Sequence, residues 1–165
     1  MTITSSCDEN SLTSEAKAKL LTEAKTLIDG THPGVLCSAD DNGTPQVRWM
    51  ATFSFDEFPI FYALTGANSR KSGQIVRCPQ VNWMFSNADL SLILNLVGTA
   101  RVLTDTPTLK RVWQQVEDKS QAYFLNQYIK GAGFVVIETT VQRIECTSPQ
   151  SAGRLTFDPI QWAAV

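Results

Sequence analysis

Residues 61–75 read FYALTGANSRKSGQI, an apolar strand pattern that leads directly into a short helical segment. The helix would begin with two cations, Arg70 and Lys71. The first turn of a helix exposes unpaired N–H groups and carries about half a positive charge, so cations there cost a few tenths of a kcal/mol each. A bound anion would reverse that cost. With hydroxyls at Thr65 and Ser69, the stretch predicts a phosphate-binding turn, and a solvated basic turn is the alternative.

The segments before this stretch predict an amphipathic helix and a β-hairpin. Apolar residues recur at helical spacing over residues 12–28, and Gly30 is a typical helix end. The period then changes to two in residues 35–39 and 45–55, on either side of an Asn-Gly turn. Asn-Gly suits the positive φ angles of hairpin turns, so we expect two antiparallel strands.

The segments after the stretch predict further strands and one more helix. With the strand at residues 60–64, the further strands lie at residues 80–86, 92–103 and 134–146. Thr106 is the expected cap of the helix between the last two. Gly98 lies inside a strand, where glycine is typical of a bulge, a barrel corner or a close backbone approach. About six antiparallel strands need protected edges, so we expect a mainly β protein, a small β-barrel with helical covers.

Length and charge limit the number of domains and the class of partner. A chain of 165 residues is the size of one domain, and we expect a flexible tail at 1–10, the domain at 11–150 and a C-terminal extension of that domain at 151–165. The 14 Lys and Arg are scattered and are balanced by 16 Asp and Glu. This charge pattern lacks the basic field that nucleic acid or an anionic membrane requires, so neither is an expected partner.

Hydropathy and cysteine usage favour a cytoplasmic protein without a membrane span. The most apolar run, residues 90–97, is far too short to cross a bilayer, and the polar, acidic N-terminus lacks the features of a secretory signal. The cysteines form no C-x-x-C pair and most lie in apolar patterns: Cys7, Cys37, Cys78 and Cys146. We expect them to be reduced thiols.

Arg48 is a third cation of interest, because it lies within an apolar strand. Alternation places Arg48 on one face with Gln46 and Met50, and Trp49 on the other. A cation in such a strand is rarely unpaired, so Arg48 either meets a carboxylate or binds an anionic ligand. The sequence favours neither alternative.

Side chains suited to acid–base or nucleophilic catalysis are scarce. His32 is the only histidine, which makes a His-based triad or a multi-His metal site hard to assemble. Asp40, Asp41, Asp56 and Glu57 fall in hairpin turns, where acidic residues serve turn geometry. We therefore assign no catalytic residue and no metal site, and expect any chemistry to come from a bound cofactor.

Five short motifs then support a resemblance to a known family: PQVRWM at 45–50, FYALT at 61–65, NSRK at 68–71, CPQVNW at 78–83 and VGTAR at 97–101. In this order and spacing the chain resembles the pyridoxamine 5'-phosphate oxidase-like FMN-binding split barrels, and it is most similar to their general stress protein 26 branch. The resemblance covers about residues 20–146.

The resemblance implies a six-stranded antiparallel split β-barrel that forms a homodimer with FMN at the subunit interface. The implied phosphate ligands are Arg48, Ser69, Arg70 and Lys71. The implied contacts of the flavin and ribityl chain are Trp49, Met50, Leu64 and Thr65, with Asn95 as a further polar contact. The C-terminus departs from the vitamin B6 oxidases, because residues 153–158, GRLTFD, resemble their basic and aromatic ending only faintly. Vitamin B6 phosphate oxidase activity is therefore not expected.

The function that follows is an FMN-dependent oxidoreductase of the general stress protein type, which takes a hydride from NAD(P)H and reduces a small acceptor. Flavin chemistry needs no acid or base from the protein. One alternative is a non-catalytic module that binds or senses flavin. Another is the same barrel with a deazaflavin or a haem, although His32 is the only histidine available as a haem ligand.

Overall fold

The computed structural model describes residues 14–31, 33–55, 57–117, 133–148, 153–157 and 159. Several predictions therefore lie outside the described residues, among them the flexible tail at 1–10 and the position of His32. The helices are α1 (Ser14–Thr26), α2 (Arg70–Arg77) and α3 (Thr106–Glu117), and α1 continues into a π-helical turn at Leu27–Thr31. The strands are β1 (Gly34–Ala39), β2 (Pro45–Met50), β3 (Ile60–Gly66), β4 (Gln80–Ser86), β5 (Ile93–Leu103), β6 (Phe134–Ser148) and β7 (Gly153–Phe157).

The strands form one antiparallel sheet that curls into a half-barrel. Their order is β2-β1-β4-β5-β6-β3, and β7 pairs with β6 beyond the end of β3. A single bridge between Phe53 and Tyr62 brings the chain just after β2 back to β3, so the two ends of the strand order meet there. The mainly β, six-stranded split barrel predicted from the sequence is confirmed, and β7 is an additional strand that the sequence pattern did not reveal.

The main core fills the inner face of the curled sheet. Alternate residues of the strands point inward and are buried with α1 side chains: Ala24, Leu27, Ile28, Leu36, Phe61, Ala63, Trp83, Phe85, Leu94, Leu96, Ile137 and Ile144. Phe61 and Trp83 meet edge to face with ring centroids 5.2 Å apart. Each of the leucine, isoleucine and phenylalanine side chains contributes about 1.5–3 kcal/mol when fully buried. This core fixes which residues of β2 and β3 face inward, and so where the candidate site lies.

A second core joins α3 to the outer side of β3 and β6. Its buried members are Phe53, Tyr62, Leu64, Val112, Val116 and Val136. Arg111 of α3 also donates to the Tyr62 hydroxyl at 3.0 Å and to Glu57 at 2.6 Å. The helix predicted after β5 is thus a cover on the barrel, as expected.

Gly98 marks a bulge between β5 and β6. Val97 pairs with Arg143 and Gly98 pairs with Val141, so Gln142 is an extra residue on β6. A Cβ atom at Gly98 would overlap the carbonyl oxygen of Thr140. The prediction of a bulge with a close backbone approach is confirmed, since only glycine leaves room for that carbonyl.

The predicted end of β2 was wrong. β2 ends at Met50 rather than Phe55, because the Thr52 hydroxyl donates to the carbonyl of Ile28 at 2.6 Å instead of following the strand ladder. Phe55 itself has a positive φ of 48°, which no strand residue adopts.

The cap of α3 was also misplaced by one residue. The carboxylate of Asp105 accepts from the N–H of Thr108 at 3.0 Å, and the Asp105 carbonyl accepts from the N–H of Leu109. Asp105 is therefore the N-cap, and Thr106 is the first helical residue.

Candidate anion-binding site

The turn between β3 and α2 has the structure that its sequence predicts. Ser69 is the N-cap of α2, with φ −73° and ψ 146°, and its hydroxyl accepts from the N–H of Ser72 at 3.3 Å. Arg70 and Lys71 therefore occupy the first two helical positions. The helix ends before Pro79, which disfavours helix in the residue that precedes it. Two cations do open this helix, against its own dipole.

The hydroxyls and the lysine of this turn form one connected cluster. The Lys71 ammonium donates to Thr65 Oγ1 at 2.8 Å, and that hydroxyl donates to Ser69 Oγ at 3.2 Å. Ser69 Oγ lies 3.2 Å from Ser72 Oγ. Because Thr65 is fully buried at the end of β3, the lysine head is drawn inward rather than left in solvent.

Arg48 reaches the same region from β2. Its Nη1 and Nη2 atoms donate to Oε1 of Gln74 on α2 at 3.1 and 3.0 Å, and Nη2 also donates to the carbonyl of Gln46 at 2.9 Å. Of the two alternatives that the sequence left open, pairing with a carboxylate is not what the described part shows. The partner is a neutral amide.

The three cations lie close enough to repel one another. Burial and then the charges of Arg48 and Arg70 lower the pKa of Lys71, and burial and then Arg70 lower the pKa of Arg48. None of the three forms an ion pair with a carboxylate in the described part. Other arginines of the chain do form such pairs: Arg77 with Asp41, Arg101 with Glu138, and Arg111 with Glu57.

This group of residues, here called the cradle, consists of Arg48, Thr65, Ser69, Arg70 and Lys71. It concentrates positive charge, hydroxyl donors and a helix N-terminus without a described acidic side chain to neutralise them. That donor set matches a phosphate monoester, which offers strong acceptor oxygens and up to two negative charges. The residues present therefore fit the phosphate of FMN.

Four other predicted site residues lie elsewhere. Met50 and Leu64 are buried in the two separate cores. Trp49 is 72% exposed on the outer face of β2. Asn95 lies on the same outer row, since Trp49 pairs with Val35, Val35 with Met84 and Met84 with Asn95. The structure does not bring these four side chains into the cradle.

Two polar residues near the cradle were missed from the sequence. Gln74 is 8% exposed and Ser38 is 2% exposed, and the Ser38 hydroxyl donates to Gln74 Oε1 at 2.9 Å. Gln74 lies one helical turn after Arg70, and that spacing, which places both residues on one side of α2, was the available signal. Ser38 carried no signal, because a serine in a half-buried strand is ordinary.

An unusually apolar surface covers the outer side of β2, β1 and β4. We call it the outer apolar face and define it by Val35, Val47, Trp49 and Met84, which lie side by side across the three strands. Val47 is 66% exposed and Met84 is 47% exposed. A contiguous exposed apolar patch is typical of an interaction surface.

The described residues offer little other chemistry. No group of three or more His, Cys, Asp or Glu side chains in that part is placed to hold a metal ion. Cys37, Cys78 and Cys146 are free thiols, and burial raises the pKa of Cys146 to about 12. Within the same residues, the helices are all too short or too polar to traverse a bilayer.

Comparison with protein families identifies the family of the chain. The family model described as Pyridoxamine 5'-phosphate oxidase matches residues 20–148 of the chain. Among curated proteins none matches the chain.

Several solved structures share the fold. A protein from Clostridium acetobutylicum, related to general stress protein 26 of B. subtilis, superposes with a TM-score of 0.72 at 17% identity, over 87% of this chain and 97% of that one. General stress protein 26 from Bacillus anthracis gives a TM-score of 0.62 at 20% identity, over 84% of this chain and 98% of that one. A heme binding protein from Mycobacterium smegmatis gives 0.64 at 15% identity, over 88% of this chain and 60% of that one.

Proposed function

Because the chain belongs to the pyridoxamine 5'-phosphate oxidase family, we propose that it binds FMN and uses it as an NAD(P)H-dependent oxidoreductase acting on a small acceptor. The observation that carries the proposal is the cradle. Arg48 and Lys71 are partly desolvated and repel each other, which costs free energy unless an anion lies between them. A ligand that ends in a phosphate removes that cost.

Each cradle residue has a role in holding the phosphate. Arg48 and Lys71 supply charge-assisted hydrogen bonds, and Arg70 adds charge at the helix N-terminus. The hydroxyls of Thr65 and Ser69 complete the donor set and hold the Lys71 ammonium in place. Bound FMN would supply hydride transfer from a reduced nicotinamide, so these residues need only bind and orient.

We propose that the site is completed by a second copy of the chain, docked through the outer apolar face. Trp49 and Asn95 both lie on that side of the sheet, away from the cradle. Two exposed apolar side chains, Val47 and Trp49, would be removed from water in a dimer. The flavin contacts predicted at Trp49 and Asn95 would then lie at the subunit interface.

Steady-state oxidation of NADH and NADPH by the FMN-loaded protein tests the enzymatic part. We expect turnover with a small electron acceptor, and we expect it to disappear when FMN is removed. Retained FMN with no nicotinamide oxidation by any common acceptor would contradict the oxidoreductase. That result would favour a non-catalytic module that binds or senses flavin.

A different cofactor is the second alternative, and it rests on one solved relative described as a heme binding protein. The purified protein separates the cofactors by spectrum. A Soret band after addition of haem, or deazaflavin fluorescence in the isolated protein, would replace FMN in this proposal. Neither signal is expected, because three cations suit the dianionic phosphate monoester of FMN better than a monoanionic phosphodiester or the carboxylates of haem.

Two further parts of the proposal concern location and substrate. We place the protein in the cytoplasm, because Cys37, Cys78 and Cys146 are free thiols rather than disulfides. Oxidation of vitamin B6 phosphates is not proposed, since residues 153–158 resemble the substrate-binding ending of the vitamin B6 oxidases only faintly. Incubation with pyridoxamine 5'-phosphate should therefore yield no pyridoxal phosphate.

A further inference from the structure

The guanidinium of Arg48 is held by a neutral oxygen. Its Nη1 and Nη2 atoms both donate to Gln74 Oε1, at 3.1 and 3.0 Å, so the acceptor that fixes the end of the guanidinium carries no charge. Elsewhere in the chain, Arg101 and Arg111 do meet carboxylates, at 2.6 Å each. The guanidinium of Arg48 is therefore held in place as in an ion pair, but its positive charge is not neutralised.

A buried serine fixes the direction of the Gln74 amide. The Ser38 hydroxyl donates to the same Oε1 atom at 2.9 Å. Only the oxygen of an amide can accept from three donors, so the Gln74 oxygen, rather than its NH₂ group, faces Arg48. Ser38 and Gln74 are both almost completely buried, which leaves the amide little freedom to turn.

The remaining donors of Arg48 are the ones available to a ligand. A guanidinium has five N–H groups, and those on Nη1 and Nη2 that meet Gln74 and Gln46 account for three of them. The other two, on Nε and Nη1, have no acceptor among the described residues. An anion in the cradle can accept from them while Gln74 stays in place.

We infer that Gln74 is a positioning residue that presents Arg48 to a dianionic phosphate monoester with its full charge. The inference rests on the proposed function, since it concerns the same site. A glutamate at this position would make the same hydrogen bonds but would cancel one of the three positive charges. The neutral amide thus selects for a dianion over a monoanion, because the uncancelled charge interacts in proportion to the ligand's own.

The substitution Gln74→Glu distinguishes a role in presenting Arg48 to the ligand from a role in the stability of the fold. The carboxylate has nearly the volume of the amide and would form an ion pair with Arg48, so we expect the unfolding midpoint of the free protein to stay level or rise. The affinity for FMN should fall at least about tenfold, which corresponds to about 1.4 kcal/mol. If Gln74 had only a structural role, a variant of unchanged stability would bind FMN as tightly as wild type.

Two further variants keep the test decisive. Gln114→Glu makes the same change of charge on the exposed side of α3, away from the cradle, and should leave FMN affinity unchanged. Ser38→Ala removes only the hydroxyl that orients Gln74, and should weaken FMN by about threefold to tenfold. If Gln74→Glu fails to fold, unchanged affinity in Ser38→Ala overturns the inference.

Parallel titrations with FMN and with inorganic phosphate distinguish this inference from the proposed function. Wild-type protein that ignores FMN, but whose unfolding midpoint rises with phosphate in a manner lost in Gln74→Glu, would refute the cofactor and support the role of Gln74. FMN binding of equal strength in wild type and Gln74→Glu would overturn the role of Gln74 alone. Wild-type protein that responds to neither probe would overturn both.

Discussion

At the scale of single residues, the site is defined by charges that the fold leaves uncompensated. Arg48 and Lys71 are desolvated and lie near Arg70, and both conditions lower their pKa values. The same charges would gain from a bound anion, whose presence raises those pKa values again. The pKa values of Arg48 and Lys71 should therefore differ between the free and the ligand-bound protein, and that difference can be measured.

Removal of either desolvated cation, Arg48 or Lys71, should weaken the binding of FMN. We expect Arg48→Ala and Lys71→Ala each to reduce the free energy of FMN binding by about 1.5–3 kcal/mol, as for hydrogen bonds to charged groups. Isothermal titration calorimetry gives the two dissociation constants. Lys110→Ala on the exposed side of α3 is the matched control and should bind like wild type. Unchanged binding in both cradle variants would restore the interpretation of a solvated basic turn.

The pH dependence of FMN binding should reflect the protonation of the Lys71 amine. The ligand favours the protonated amine, whose pKa in the free protein is lowered, so affinity is full below that pKa and falls as pH rises through it. Affinity should also fall on the acid side of about pH 6, where the phosphate loses its second charge. In Lys71→Arg the alkaline decline contributed by Lys71 should vanish, because a guanidinium does not deprotonate in this range.

Dissociation constants measured from about pH 5 to about pH 10 in both proteins give the comparison. The flavin ring titrates equally in both measurements, so its contribution cancels when the two pH profiles are compared. Identical pH profiles would show that Lys71 is not in contact with the phosphate.

At this scale, the local sequence pattern was sufficient to predict the turn between β3 and α2. Thr65, Ser69, Arg70 and Lys71 belong to one short stretch, and their clustering follows from a strand that leads into a helix. Gln74 was missed because its partners, Ser38 and Arg48, lie on β1 and β2 and meet α2 only after the sheet forms. The outward position of Trp49 is a matter of which strand face is buried, which alternation alone leaves open.

At the scale of elements, positions and types followed from the pattern, and boundaries followed from tertiary contacts. Residues 80–86 read as a strand and form one, because alternation there coincides with burial. The predicted strand at 45–55 stops at Met50, since Thr52 bonds to the carbonyl of Ile28 instead of a neighbouring strand. β7 was missed because its sequence has no clear period, although it pairs with β6 as the next strand of a hairpin, from Ser148 and Gly153 to Ile144 and Phe157.

The bulge at Gly98 offers a test at this scale. Gly98→Ala should destabilise the protein by about 1–3 kcal/mol, because the added methyl group overlaps the Thr140 carbonyl and the backbone must shift. Gly73→Ala makes the same change on α2, where the Cβ would meet only Arg77 at 3.4 Å, and should stabilise by up to about 1 kcal/mol. Urea unfolding midpoints rank the two, and equal stability of both variants would contradict the close approach.

At the scale of the whole molecule, the curled sheet separates two surfaces of different chemistry. Its inner edge and α2 hold the cations and hydroxyls of the cradle, and Val47 and Trp49 of the outer apolar face are exposed. The half-barrel brings cations from β2 and α2 together although they are distant in sequence. Strand order decides this arrangement, and the sequence alone indicated it only through the resemblance to a family.

The outer apolar face should decide the oligomeric state. Trp49→Glu places a charge in the middle of that face, and a buried unpaired charge is costly, so we expect the dimer to dissociate into monomers. Val76→Glu, on the exposed side of α2, is the control and should remain dimeric. Light scattering after size exclusion measures both masses. A dimer that survives Trp49→Glu would place the interface elsewhere.

The most direct test of FMN binding is the visible absorption spectrum of the purified protein after FMN is added and the excess removed. We expect the protein to retain flavin bands, with about one FMN per chain, as for a ligand held by several charge-assisted hydrogen bonds. A protein that stays colourless after the same treatment would contradict this expectation, because the uncompensated cations of the cradle would then have no phosphate of FMN to bind.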